Sequence, residues 1–232
     1  MKPVLLLIPG MLNDARVWAD VADALTDEAE VRIVDVLTQD SIAAMAREAL
    51  ARVADVPPER PVVLVGFSMG GYVAGELLST VPDRWRAAVL IATGCLPETP
   101  ESAAGREMAI AAFRTDFEAT IQGVARRGLA KPDAALQVRM VSMMRDVGAD
   151  TAIRQTQAIR TRADHRTALG TLALPVQVLC GRQDRVTPPP MSQTLADTLP
   201  NATLHWVDDA GHMLPLEHPQ VVAAALRRAV AA

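Results

Sequence analysis

LVGFSMGG, residues 64–71, closes a run of mostly β-branched apolar residues that begins at Pro61 and opens a helical pattern that runs on to Thr80. A strand that becomes a helix within a few residues, with Gly-x-Ser-x-Gly at the turn, is the pattern of a nucleophile elbow. Gly66 and Gly70 stand two residues either side of Ser68, where a Cβ would collide across so sharp a bend, and the serine is expected in strained backbone geometry. Its hydroxyl then stands exposed above a sheet, and the following helix turns its free N–H groups toward negative charge formed there. The same letters also suit an ordinary strand–helix connection with a serine N-cap. The reading therefore turns on whether an acid and a histidine follow in the right order and context.

Outward from this stretch, strands and helices alternate. Val4 to Ile8 is a continuous apolar run, the pattern of a strand buried on both faces. Val17, Trp18, Val21 and Leu25 lie at helical spacing over 15–25, and VRIVDVL at 31–37 reads as the next strand. Ser41 caps a helix whose Ile42, Met45, Ala46, Ala49, Leu50 and Val53 follow the i, i+3, i+4, i+7 template, ending before Pro57 and Pro58. Val62 to Val65 feeds the elbow, residues 70–80 form the helix after it, and Ala87 to Ala92 is another short strand. This order implies a parallel sheet with right-handed crossovers, helices on both faces, and ligands bound at the C-terminal strand ends.

Between 96 and 167 no strand pattern appears. Ile110, Phe113, Phe117, Ile121 and Val124 trace one helical stripe and Leu136, Met140, Met143, Met144 and Val147 another, divided at Lys131 and Pro132, with a further helix over 149–163. Residues 97–167 are expected to form a helical cap over the strand ends of a core built from 1–96 and 168–232. The sheet resumes over 175–179, with a helix over 190–199, a last strand at Ala202 to Val207 and a closing helix over 219–230.

Half of the 232 residues are hydrophobic, ample for one buried core, and the net charge of −4 is spread without a basic stripe. A nucleic-acid partner is not expected. Only Val4 to Ile8 is apolar before Pro9 and Gly10, too short for a signal peptide or membrane span, so no membrane partner and a cytoplasmic location are expected. Cys95 and Cys180 fall at or just after strand ends and read as buried free thiols, and no Cys/His spacing suggests a metal site.

Ser68, Asp184 and His212 each lie just beyond the C-terminal end of an expected strand, which puts all three on one sheet edge. A serine hydroxyl is a poor nucleophile at neutral pH and needs an imidazole to take its proton and a carboxylate to orient that imidazole. The order Ser, Asp, His is that of α/β-hydrolases. The chain resembles a capped α/β-hydrolase of the bacterial carboxylesterase and lactonase type over essentially its whole length. The matching pieces are LLLIPG at 5–10, GFSMGGYVAGELLSTVPDR at 66–84, LPVQVLCGRQDRVTPP at 174–189 and DDAGHMLPLEHPQ at 208–220. Within that family it is most similar to enol-lactone hydrolases and to thioester or methyl-ester esterases such as those acting on pimeloyl carrier protein.

The resemblance implies Ser68 as nucleophile, His212 as base and then acid, and Asp184 as the orienting carboxylate. It places the oxyanion hole at the backbone N–H groups of Met11 and Met69, each worth roughly 3 kcal/mol of barrier. It puts Met11, Phe67, Met69 and Met213 against the substrate. No cofactor is implied. Pro9 replaces the usual histidine before Gly10, and the antiparallel strand pair that generally precedes the first strand is not seen, so the strand at 31–37 is expected at a sheet edge or an oligomer contact.

Other residues compete for these roles. Glu98 is an alternative acid, His165, His205 and His218 read as structural or solvated, Asp208 and Asp209 are too close to His212 to reach its ring, and Arg162 and Asp164 read as surface charges. A serine nucleophile excludes the dehalogenases and epoxide hydrolases of the fold, which use aspartate. The expected activity is hydrolysis of a small or medium ester, thioester or lactone through an acyl-enzyme, on a small acyl substrate that is free or carrier-linked. A ligand-binding protein on the same fold, or a C–C bond hydrolase or lyase, stands as the alternative. With only 3% aromatic residues, the pocket is expected to be aliphatic and Met-rich. Arg114, Arg126 and Arg127 read as a solvated helix face.

Overall fold

An unbroken apolar run cannot hide one strand face and wet the other, so Val4–Ile8 (β1) has to be covered on both sides. The computed structural model, which describes residues 2–232, covers it. Around β1 lie β2 (Glu30–Ile33), β3 (Val62–Phe67), β4 (Ala87–Ile91), β5 (Val176–Gly181) and β6 (Ala202–Val207), all parallel, in the order β2-β1-β3-β4-β5-β6. The chain reverses direction across the sheet between β1 and β3, which is where doubly wound sheets open a crevice for ligands.

The helices are α1 (Ala19–Asp23), α2 (Ile42–Ala51), α3 (Met69–Thr80), α4 (Pro100–Thr115), α5 (Phe117–Gly128), α6 (Ala134–Val147), α7 (Ala149–Arg160), α8 (Arg166–Leu169), α9 (Pro189–Thr198), α10 (Leu214–Glu217) and α11 (Pro219–Ala231). Alternate residues of β1 feed two cores. Leu5 and Leu7 pack with Trp18, Val21 and the α11 residues Val222 and Leu226, whereas Val4, Leu6 and Ile8 pack with Met45, Val73 and Leu195 from α2, α3 and α9. The first core continues into α4, α5 and α6 through Phe113, Ile121, Met140 and Met144. Among the described residues no helix is long and apolar enough to cross a membrane.

Several boundaries differ from those read off the sequence. The strand expected over 31–37 stops at Ile33, where its partner β1 is also running out: Val34 N still donates to Leu7 O, and the carbonyls of Val36 and Leu37 then turn to Gln155 and Arg154 on α7. β2 is nevertheless the sheet edge. The helix expected over 15–25 splits into a 3₁₀ turn at Ala15–Trp18, capped by Asp14, and the short α1. β3 runs on to Phe67, paired with Ile91, and α3 starts at Met69, so the turn between them is Ser68 alone.

Arg162 is not the surface charge expected. Its side chain is only 7% exposed, lies over the Tyr72 ring and binds Leu96 O and Glu98. Glu98, the alternative acid, is taken up by Arg162, Arg106 and Ser102 instead. Cys95 and Cys180 are buried free thiols, and burial pushes Cys180 up to about 11.

Candidate active site

The one-residue turn at Ser68 is held open by the absence of neighbouring side chains. A Cβ on Gly66 would stand 2.4 Å from Gly70 O, and one on Gly70 would stand 2.2 Å from Ile8 O. Ser68 itself sits at φ 53, ψ −114, in a region L-residues seldom occupy. Its N–H donates to Ile91 O and its carbonyl accepts from the Thr93 hydroxyl, so the strain is pinned by the neighbouring strand.

Asp184 and His212 come from the loops after β5 and β6. His212 Nε2 lies 2.9 Å from Ser68 Oγ, and Nδ1 lies 2.9 Å from Asp184 Oδ2. With the carboxylate accepting a hydrogen bond from Nδ1–H, the ring proton stays on Nδ1 and Nε2 is left as the acceptor for the serine O–H. Asp184 Oδ1 accepts from the backbone N–H of Val186 and Thr187, and the Thr187 hydroxyl lies 2.8 Å from Oδ2 and 2.9 Å from Ala92 O. Burial by itself would raise the Asp184 carboxyl, but the His212 ring and the Thr187 donors outweigh it and hold the group below the ordinary aspartate value.

The histidine loop is fixed by main-chain bonds. His212 N and Met213 N both donate to Gly128 O, and the Glu217 carboxylate accepts from Gly211 N, Met213 N and Ala130 N. The end of α5 is thereby tied to the loop that carries the imidazole. On the other side, Phe67 packs its ring against His212, with centroids 5.2 Å apart.

Gly10 brings the loop after β1 against the serine, since a Cβ there would stand 3.1 Å from Ser68 Cβ. The next N–H, that of Met11, and the N–H of Met69 at the start of α3 meet no acceptor among the described residues. Leu12, at φ 61, gives its N–H to Gln155 Oε1, and Gln155 Nε2 reaches Val36 O, so one fully buried α7 side chain fixes two loops of this edge.

Above Ser68 and His212 is a cavity of about 60 Å³ walled by Met11, Val124, Met140, Met144, Val186 and Met213. Met11 and Met213, expected against the substrate, both line this cavity. Phe67 and Met69 do not: both side chains are buried in the core, Phe67 beside Trp18 on one face of the sheet and Met69 with Val73 on the other, because residues flanking a one-residue turn point away from its mouth. Arg114, Arg126 and Arg127 are exposed. His165 pairs with Glu76, His218 lies against Asp209 O, His205 sits in β6, Asp208 pairs with Arg182 and Asp209 with Lys131, so none of these enters the site. Among the described residues no cluster of His, Cys, Asp and Glu is arranged to hold a metal ion. Nothing in the sequence marks Thr187, Glu217, Gln155 or Asn13, because each works through a partner distant in the chain or through a backbone group that no spacing reveals.

The model of the alpha/beta hydrolase family matches residues 5–225. A pimeloyl-[acyl-carrier protein] methyl ester esterase of Neisseria meningitidis serogroup A is 30% identical over 78% of this chain, which spans 60% of that relative's length. A protein of the same name from Xanthomonas campestris is 29% identical, over 99% of this chain and 96% of its own. Among solved structures, a thermophilic esterase from Thermogutta terrifontis superposes with a TM-score of 0.85 at 24% identity, covering 98% of this chain and 89% of that one.

Proposed function

The chain belongs to the alpha/beta hydrolase family, and from that premise we propose that it hydrolyses carboxylic esters through an acyl-enzyme on Ser68. The observation that carries the proposal is the unbroken line of hydrogen bonds from Ser68 Oγ through His212 to Asp184. His212 takes the serine proton as Oγ attacks the ester carbonyl, and Asp184 keeps the ring in the right tautomer and stabilises it as it charges. The oxyanion forms between the N–H groups of Met11 and Met69, each lowering the barrier by roughly 3 kcal/mol. His212 then protonates the leaving alcohol, and water reverses the sequence to release the acid.

The enzyme is a carboxylic ester hydrolase. Its substrate carries a small or medium flexible acyl chain, in keeping with a methionine-walled cavity free of aromatic rings. The names of its relatives favour a methyl ester on a carrier-linked acyl chain. Residues 97–167 act as a cap over the site, to which α5 and α6 contribute Val124, Met140 and Met144. The two unpaired buried thiols accord with a reducing compartment.

A fluorophosphonate followed by intact mass tests the reading. Wild type is expected to gain one adduct, Ser68→Ala none, and His212→Ala one only very slowly. Ester hydrolysis that survives Ser68→Ala would overturn the assignment.

A further inference from the structure

Buried polar atoms in folded proteins nearly all have hydrogen-bond partners, so each exception calls for a reason. Among the described residues three buried side-chain atoms have none: Asn13 Oδ1, Trp18 Nε1 and Arg154 Nε. Of these three residues, only Asn13 lines the cavity over Ser68 and His212. Asn13 is 3% exposed. Its amide cannot turn over without a penalty, because Nδ2 donates to Met11 O at 2.6 Å and the flipped group would set two oxygens face to face. The backbone beneath it is fixed as well, Asn13 N donating to Gly10 O and Leu12 N to Gln155 Oε1. The result is an acceptor, buried and held still, on a residue two positions from Met11 that borders the largely aliphatic cavity over Ser68 and, on its other side, a cavity lined by Asp14, Ile33 and Val36.

We propose that Asn13 Oδ1 binds substrate, and that the site selects esters or lactones bearing an O–H or N–H donor a few bonds from the scissile carbonyl; this rests on the hydrolase reading of the same pocket. Hydroxyacyl esters and acyl groups with a nearby amide N–H are the chemical class that fits. A substrate without the donor leaves Oδ1 unpaired in the bound complex, whereas one with the donor satisfies it, and it is this that makes a polar group in an apolar wall discriminating.

Binding to the Ser68→Ala protein, followed by ligand-detected NMR, tests this without turnover. Two matched pairs locate the donor: methyl 3-hydroxybutyrate against methyl butyrate for the acyl side, and 2-hydroxyethyl butyrate against propyl butyrate for the alcohol side. One donor-bearing ester is expected to bind roughly tenfold tighter than its partner. That ratio should shrink to within about twofold when Asn13→Ala or Asn13→Leu is added, whereas a merely structural change would weaken both members of a pair alike. Equal binding within both pairs, or a preference that persists after Asn13 is replaced, would overturn the proposal. Fluorophosphonate labelling of wild type decides the hydrolase reading separately, so failure of one is not mistaken for failure of the other.

Discussion

Thr187 does more at the residue scale than its neighbours in the chain suggest. Its N–H donates to Asp184, and its single hydroxyl proton lies between Asp184 Oδ2 and Ala92 O just past β4, so the side chain holds the carboxylate beside the sheet. Thr187→Val keeps the branched shape and the N–H but loses the hydroxyl. A loss of about 1 kcal/mol in stability is expected, with kcat down roughly tenfold and KM little changed. Asp184→Asn, which reverses the demand on Nδ1 and leaves His212 in the wrong tautomer, should cost roughly 10⁴ in kcat with the fold kept. Steady-state kinetics on a nitrophenyl ester, set beside thermal unfolding, separates the two. A Thr187→Val enzyme as impaired as Asp184→Asn would mean that the hydroxyl takes part in proton transfer rather than in holding the carboxylate.

At the scale of elements, the link between α5 and the loop after β6 is made by backbone groups rather than by side-chain packing alone. Gly128 O receives two N–H groups of the histidine loop, and Glu217 on α10 collects N–H groups from that loop and from Ala130. The wall of the cavity and the imidazole therefore move together. Glu217→Ala leaves those N–H groups without their acceptor and is expected to cost about 2–3 kcal/mol of stability and to lower kcat, while Glu217→Gln, which keeps one acceptor oxygen, should lose less of both. Thermal unfolding and kcat measured on the same samples check this. A drop in stability with kcat untouched would show that the loop positions His212 without Glu217.

For the whole molecule, the shifted carboxylates set the acid limit. Asp184, Asp14 and Glu98 would each be raised by burial, yet their hydrogen-bond and ion-pair partners hold all three below the ordinary values of 3.8 for aspartate and 4.5 for glutamate; Glu30 is lowered by Arg32 and Arg60. A depressed folded value means that the native state holds fewer protons than the unfolded chain. The stabilisation is fully present above the unfolded values and is lost as pH falls through the folded ones. The urea midpoint is therefore expected to stay level from pH 7 to about 5 and to fall below about pH 4.5. Glu98→Gln should lower the plateau, because Arg162 is left buried without its carboxylate, and should make the acid decline shallower. A midpoint level down to pH 3 would show that these pairs add nothing to stability.

The alternation of apolar runs and helical stripes and the glycines around Ser68 were legible in the chain because each is a local pattern, set by the spacing of residues within one element, and the order Ser, Asp, His was legible because each of the three follows a strand that its own segment reveals. Even so, boundaries at β2 and the elbow were not, since β2 ends where β1 runs out and α7 binds the carbonyls of Val36 and Leu37 beyond it, and β3 lasts as long as β4 remains beside it. Tertiary structure alone decided which side chains face the cavity: Phe67 and Met69 flank the serine in sequence yet point into opposite cores, while Met140 and Met144 reach the site from another part of the chain. It likewise buried Arg162 on Tyr72 and left Asn13 Oδ1 buried without a donor on a residue that borders the pocket. The physical reason is separation along the chain. Ser68 and His212 are 144 residues apart and Asp184 and His212 are 28 apart, so their contacts depend on the register of a parallel sheet that no single segment encodes.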